Sequence, residues 1–172
     1  MAQETQNIMK QIKLDKVVLN MGVGKSGDAI EIAKKALDQI SNKKSCNRSA
    51  KKAYRDWGVR KGEPIGIAVT VRGNDATELL KKLLVVKDNQ IAEKAFDNEG
   101  NLSFGIKEHI DIPGIKYDPK IGILGLEVSI SLTRPGFNIK FNKSKAKVGK
   151  NHRIAKSEAI KFLTEEFGVK VV

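Results

Sequence analysis

Ile65-Gly66-Ile67-Ala68-Val69-Thr70-Val71-Arg72 sets a β-branched apolar residue at every second position, with Gly66, Ala68, Thr70 and Arg72 between them. Strand side chains alternate between two faces, so this run predicts a strand with one face buried and the other small or polar. A strand covered on both faces, as in a parallel sheet, would be apolar without interruption. The alternation recurs at Leu126, Val128, Ile130 and Leu132, where Arg134-Pro135-Gly136 stops it. The half-apolar run Ile12–Met21, closed by Gly22 and Gly24, and the short Leu102–Ile106 predict two more strands.

Between these strands the period changes. Ile30, Ala33, Leu37 and Ile40 recur at helical spacing over 28–41, behind Asp28 and Glu31 as a capping-box start. Asn74 is placed to cap a helix carrying Leu79, Leu80, Leu83 and Leu84, and Ser157 one carrying Ala159, Phe162, Leu163 and Phe167 that Gly168 ends. Proline-bounded residues 110–119 read as a connection. Neither a repeat nor a linker divides the chain. The expected fold is α+β: a single domain over residues 1–172, with a largely antiparallel sheet packed on helices and a basic extension near the C-terminus. At 172 residues the chain is long enough for a core without staples, and Cys46, its only cysteine, forms no internal disulfide. No signal peptide or membrane span is read from the sequence, and no membrane partner is expected.

The net charge of +12 points to a polyanionic partner, and its distribution is uneven. Residues 43–62 carry +7 and residues 137–156 carry +7 with no acid, while 63–136 carry −2. The first stretch interleaves Lys43, Lys44, Arg48, Lys51, Lys52, Arg55 and Arg60 with Tyr54 and Trp57. Cations bind phosphates and aromatic rings stack on exposed bases, so this composition suits RNA. The alternative is a solvated loop with Trp57 packed in the core. The second stretch offers Lys140, Lys143, Lys145, Lys147, Lys150 and Arg153, the composition of an arm laid along RNA and ordered by it.

Gly22-Val23-Gly24-Lys25-Ser26 follows a strand and precedes a helix, the setting of a phosphate-binding loop. A nucleotide-hydrolase loop needs a further glycine where this chain has Leu19, so the turn is too short to wrap a β-phosphate. A tight turn that brings Lys25 to an RNA phosphate is the better reading. His109 and His152 lack ligand spacing, Cys46 has no catalytic companion and reads as a small packed residue, and no carboxylate pair suggests acid–base work. Neither an enzyme, a metal site nor a cofactor is expected. The rivals are the hydrolase and a free regulatory RNA- or DNA-binding module.

Several blocks are familiar. Val17-Val18-Leu19-Asn20-Met21-Gly22-Val23-Gly24, Trp57-Gly58-Val59-Arg60-Lys61-Gly62-Glu63-Pro64-Ile65-Gly66, Gly100-Asn101-Leu102-Ser103-Phe104-Gly105-Ile106-Lys107-Glu108, Tyr117-Asp118-Pro119 and Gly125-Leu126-Glu127-Val128 resemble, in order, the large-subunit ribosomal protein five family, which binds 5S rRNA in the central protuberance. Arg134-Pro135-Gly136 and the basic segment after it resemble the archaeal–eukaryotic branch. The resemblance implies a structural constituent of the large ribosomal subunit that acts in translation, ribosome-bound in the cytoplasm. Its implied partners are 5S rRNA, large-subunit rRNA, P-site tRNA, neighbouring proteins of the central protuberance and the small-subunit head. It also implies RNA contacts at Asn20, Lys43, Trp57 and Arg60, and a tRNA-facing loop at residues 46–55.

Overall fold

The alternation at residues 65–72 becomes the second strand of a five-stranded antiparallel sheet. The computed structural model describes residues 7–24, 27–115, 119, 121–142 and 147–172. The sheet contains β1 (Lys13–Gly22), β2 (Cys46–Ser49), β3 (Pro64–Arg72), β5 (Leu102–Ile106) and β6 (Leu126–Thr133) in the order β2-β3-β1-β6-β5. The two-residue strands β4 (Gln90–Ile91) and β7 (Lys170–Val171) pair in parallel with each other as a separate small sheet. The helices are α1 (Asp28–Ser41), α2 (Asn74–Val85), the one-turn α3 (Ile139–Asn142) and α4 (Lys156–Phe167). The α+β class and antiparallel sheet expected from the sequence are the ones observed.

Register explains which face is buried. Leu19 pairs with Val69 on one side and Val128 on the other, and Val17 with Val71 and Ile130. Directly paired residues share a face, so these side chains form one apolar surface. Val17, Leu19, Val71 and Val128 are fully buried. Ala33 and Leu37 of α1 and Leu80 and Leu83 of α2 belong to the same core. Complete burial of such a side chain stabilises by about 1.5–3 kcal/mol, so this row holds the helices to the sheet.

Two helix starts differ from expectation by one residue and a third by two. The capping positions are Gly27 and Gly73, so Asp28 and Asn74 lie inside the helices and provide no side-chain cap. In α4 the cap is Ala155 rather than Ser157, and Glu158 reaches back to accept the Ala155 N–H at 3.0 Å. Gly168 ends α4 in the left-handed conformation, as read from the sequence.

The basic extension departs from the picture of a free arm. Ile154 and Val148 are buried, and Phe137 packs against the core. Arg134, 6 % exposed, sits where the extension leaves and rejoins the body. Its Nη2 is 2.9 Å from Glu158, and its Nη1 donates to the Arg153 carbonyl at 3.1 Å. Thus both ends are fixed by one guanidinium, whose planar fork suits two acceptors at once. His152 adds a 2.8 Å bond to the Pro135 carbonyl.

Candidate nucleic-acid interface

The face of the sheet opposite the helices carries what the alternation left over. One row across it reads Cys46, Ala68, Asn20, Glu127 and Gly105; the next reads Thr70, Val18, Ser129 and Ser103. Most of these side chains are small, and the hydroxyls and carboxylate are exposed. Gly66 shows why small residues are needed here, because a Cβ at that position would lie 3.0 Å from the Met21 carbonyl oxygen. A flat, polar, low-relief surface allows a nucleic-acid backbone to approach the strands themselves. Asn20 lies near the middle, its Nδ2 donating to Glu127 at 3.0 Å. Cys46 is exposed on this face rather than packed, and its Sγ donates to the Ala68 carbonyl at 3.2 Å.

The two basic stretches lie at opposite ends of this face. The loop before Pro64 adjoins the Gly22 end of β1, since Gly22 pairs with Gly66. The extension follows Thr133, which pairs with Lys13 at the other end. A ten-residue strand spans about 30 Å, so the cations bracket the polar face over that distance.

Local bonds shape the first end. Ala50 and Glu63 close the base of the loop at 2.8 Å, and Tyr54 and Val59 exchange bonds of 2.9 and 3.1 Å near its tip. Between them Arg55–Trp57 form one tight turn that ends on Gly58 at φ 65°, a conformation glycine adopts without strain. The turn projects both aromatic rings outward. Trp57 is 76 % exposed and Tyr54 50 %, with ring centroids 5.2 Å apart. Of the two readings the sequence left for Trp57, packing in the core is therefore excluded. Lys51, Lys52, Arg55 and Arg60 are exposed around the rings, and the Arg60 backbone is held by Glu63 at 2.9 Å. Arg48 lies on the polar face opposite Gly66.

Other predicted positions are distributed differently. Lys43 is engaged by Asp75 at 2.7 Å, and this bond holds the Asp75 carboxyl below its ordinary range. Lys44 is exposed beside it. Residues 46–49, expected to start a tRNA-facing loop, form the edge strand β2, so the loop proper begins at Ala50. At the far end Lys140 is 3.6 Å from Glu99, and Lys147, Lys150 and Arg153 are exposed. Lys25, Lys143 and Lys145, and with them the phosphate reading of the Gly22–Gly24 turn, lie outside the described residues, as do Tyr117 and Asp118. Lys16, Arg72, Thr70 and Ser129 were missed as candidates; their signal was the off-beat of the strand alternation. His109 is buried, with Nδ1 accepting the Leu124 N–H at 3.3 Å, so its ring serves the backbone. Among the described residues no three potential metal ligands cluster, and no helix is long and apolar enough to cross a membrane.

Residues 7–60 match the model of the family described as ribosomal protein L5, and residues 64–162 match the model describing the C-terminus of that ribosomal family. These two segments share the sheet, since β1 and β2 come from the first and β3, β5 and β6 from the second. A protein of Nitrosopumilus maritimus, named large ribosomal subunit protein uL5, is 63% identical over 172 residues, covering 99% of each chain. Proteins of the same name from Cenarchaeum symbiosum and Sulfolobus acidocaldarius are 59% and 43% identical, covering 95% and 97% of this chain and 98% and 94% of theirs.

Proposed function

Because the chain belongs to the ribosomal protein L5 family, we propose that its polar sheet face and flanking cations hold 5S rRNA in the large ribosomal subunit. The family is a structural one of the ribosome and not a family of enzymes. The observation that carries the finer reading is the exposed Tyr54–Trp57 pair among four cations, beside the polar sheet face with its exposed Thr70, Ser103, Glu127 and Ser129. Phosphates neutralise the cations, bases stack on the rings, and Asn20, Thr70 and Ser129 meet riboses and base edges. Lys25, Lys44, Arg48 and Lys43, the last exchanging Asp75 for phosphate, extend the footprint at this end, and Lys140, Lys143, Lys145, Lys147, Lys150 and Arg153 form it at the other. The tip of the loop, with Lys51, Lys52 and Arg55, reaches toward P-site tRNA. Neighbouring proteins of the central protuberance, large-subunit rRNA and the small-subunit head complete the surroundings of a ribosome-bound, cytoplasmic protein.

Binding of a 5S rRNA transcript across a salt series tests this reading. Arg60→Ala should lower the slope of log affinity against log salt by roughly 0.7–0.9, as for one phosphate contact. Trp57→Ala should cost about 1–3 kcal/mol of binding with the slope little changed. Unchanged affinity and slope in both variants would remove the RNA site from this loop.

A further inference from the structure

A pocket of about 270 Å³ opens where the extension folds back beside β1 and β6. Its lining includes Lys16 and Ser131, paired neighbours on the uncovered side of the sheet, so it continues the polar face. From the extension come Phe137, Asn138, Phe141 and Arg153, and from the turn before β5 comes Asn101. We propose that this pocket receives one unstacked nucleotide of the bound RNA, a site that rests on the RNA-binding reading above and adds a base-accepting subsite to it.

Five observations favour a base. Phe137 is half-buried and braced edge-on by His152 at 5.6 Å, which gives the pocket a fixed aromatic wall. Phe141 is 79 % exposed on a one-turn helix, an apolar ring left in water beside that wall. Asn138 offers an amide donor and an acceptor, and Asn101, whose Nδ2 already donates to Asp97 at 2.8 Å, offers its oxygen and the second amide hydrogen; these are the functions that pair with a base edge. The charges are mixed: Lys16 and Arg153 can take the flanking phosphates, while Asp15 and Glu99 disfavour a bare phosphate inside and accept from base amino groups. Lys140, 3.6 Å from Glu99 and 5.3 Å from the Phe137 ring centroid, keeps that carboxylate beside the aromatic wall. The volume lies below the roughly 300 Å³ at which drug-sized ligand pockets begin, consistent with one base rather than a larger group.

The test titrates the full chain with the four nucleoside 5′-monophosphates and, separately, with inorganic phosphate. NMR signals of the Asn101 and Asn138 side-chain amides are followed. Monophosphates should shift both signals at concentrations where phosphate does not. Phe141→Ala, at an exposed position that leaves the fold intact, should weaken the binding roughly 5- to 150-fold, and Phe141→Trp should retain it. Equal shifts with phosphate alone, or wild-type affinity in Phe141→Ala, would overturn the proposal. So would a pocket that ignores nucleotides but responds to an acidic peptide, which would make this a protein-docking site. Binding of 5S rRNA by the same samples, with Trp57→Ala as reference, separates the two readings. Tight, Trp57-dependent 5S binding with a silent pocket would remove only the subsite.

Discussion

Arg134→Ala is the most direct test of how the extension is held. The side chain is 6 % exposed and gives 2.9 and 3.1 Å contacts to Glu158 and to the Arg153 carbonyl, with a longer 3.4 Å bond to the His152 carbonyl. Removing one partner of a buried pair costs about 3–5 kcal/mol when the other charge is left dry. Here Glu158 is 44 % exposed and rehydrates, so part of that cost disappears. The two carbonyls lose a charged donor, at about 1.5–3 kcal/mol for such a bond. The expected loss is therefore about 2–4 kcal/mol, with Arg134→Lys in between because ammonium lacks the fork. Urea unfolding reads the loss as a lower midpoint at unchanged m, and limited trypsin digestion reads it as faster cutting within 137–156. A change under about 0.5 kcal/mol, the level of an ordinary surface substitution, would refute the clasp.

Three further outcomes follow from the geometry. The Ala155 N–H first, and then Arg134, hold the Glu158 carboxyl below its ordinary 4.5. Its stabilisation is thus present above that value and is lost as pH falls through the lower folded one; in urea melts across pH, Glu158→Gln should trail wild type at neutrality and converge with it in acid. Gly66→Val should destabilise by about 1–3 kcal/mol, because its side chain meets the Met21 carbonyl between two paired strands; thermal unfolding checks this. Trp57→Ala should leave the melting temperature nearly unchanged, whereas Leu19→Ala in the same assay should cost about 2–5 kcal/mol.

What could be read from the sequence was whatever a regular period announces. Residues 65–71 and 126–132 alternate because one side faces helices and the other does not, and both strands lie where the alternation put them. β2 gave no such signal: Cys46, Asn47, Arg48 and Ser49 are all exposed, and the strand exists only because β3 offers backbone partners. β4 and β7 are two residues each, too short for any period, and were missed for that reason. At the candidate site, clustered charge revealed the basic loop, but tertiary contacts decide what each residue is free to do. Lys43 meets Asp75 from a different element, and Trp57 turns outward because the 54–59 turn closes beneath it. The anchoring of the extension escaped notice because Arg134 reads as a strand terminator next to proline, while its acceptors lie some twenty residues on.

The central position of β1 has a consequence for how the protein is made. This strand emerges first, yet one of its two neighbours, β6, leaves the synthesis machinery only some fifty residues after β3 is complete. At about 5–20 residues per second, that leaves roughly 3–11 s in which β1, β2 and β3 can pair with α1 and α2 while one side of Val17-Val18-Leu19 waits without a partner. During that interval the nascent chain offers an apolar strand border to whatever is nearby, including another copy of itself. Slowing translation between Arg72 and Leu126 should therefore raise aggregation of newly made protein without altering the stability of the finished fold.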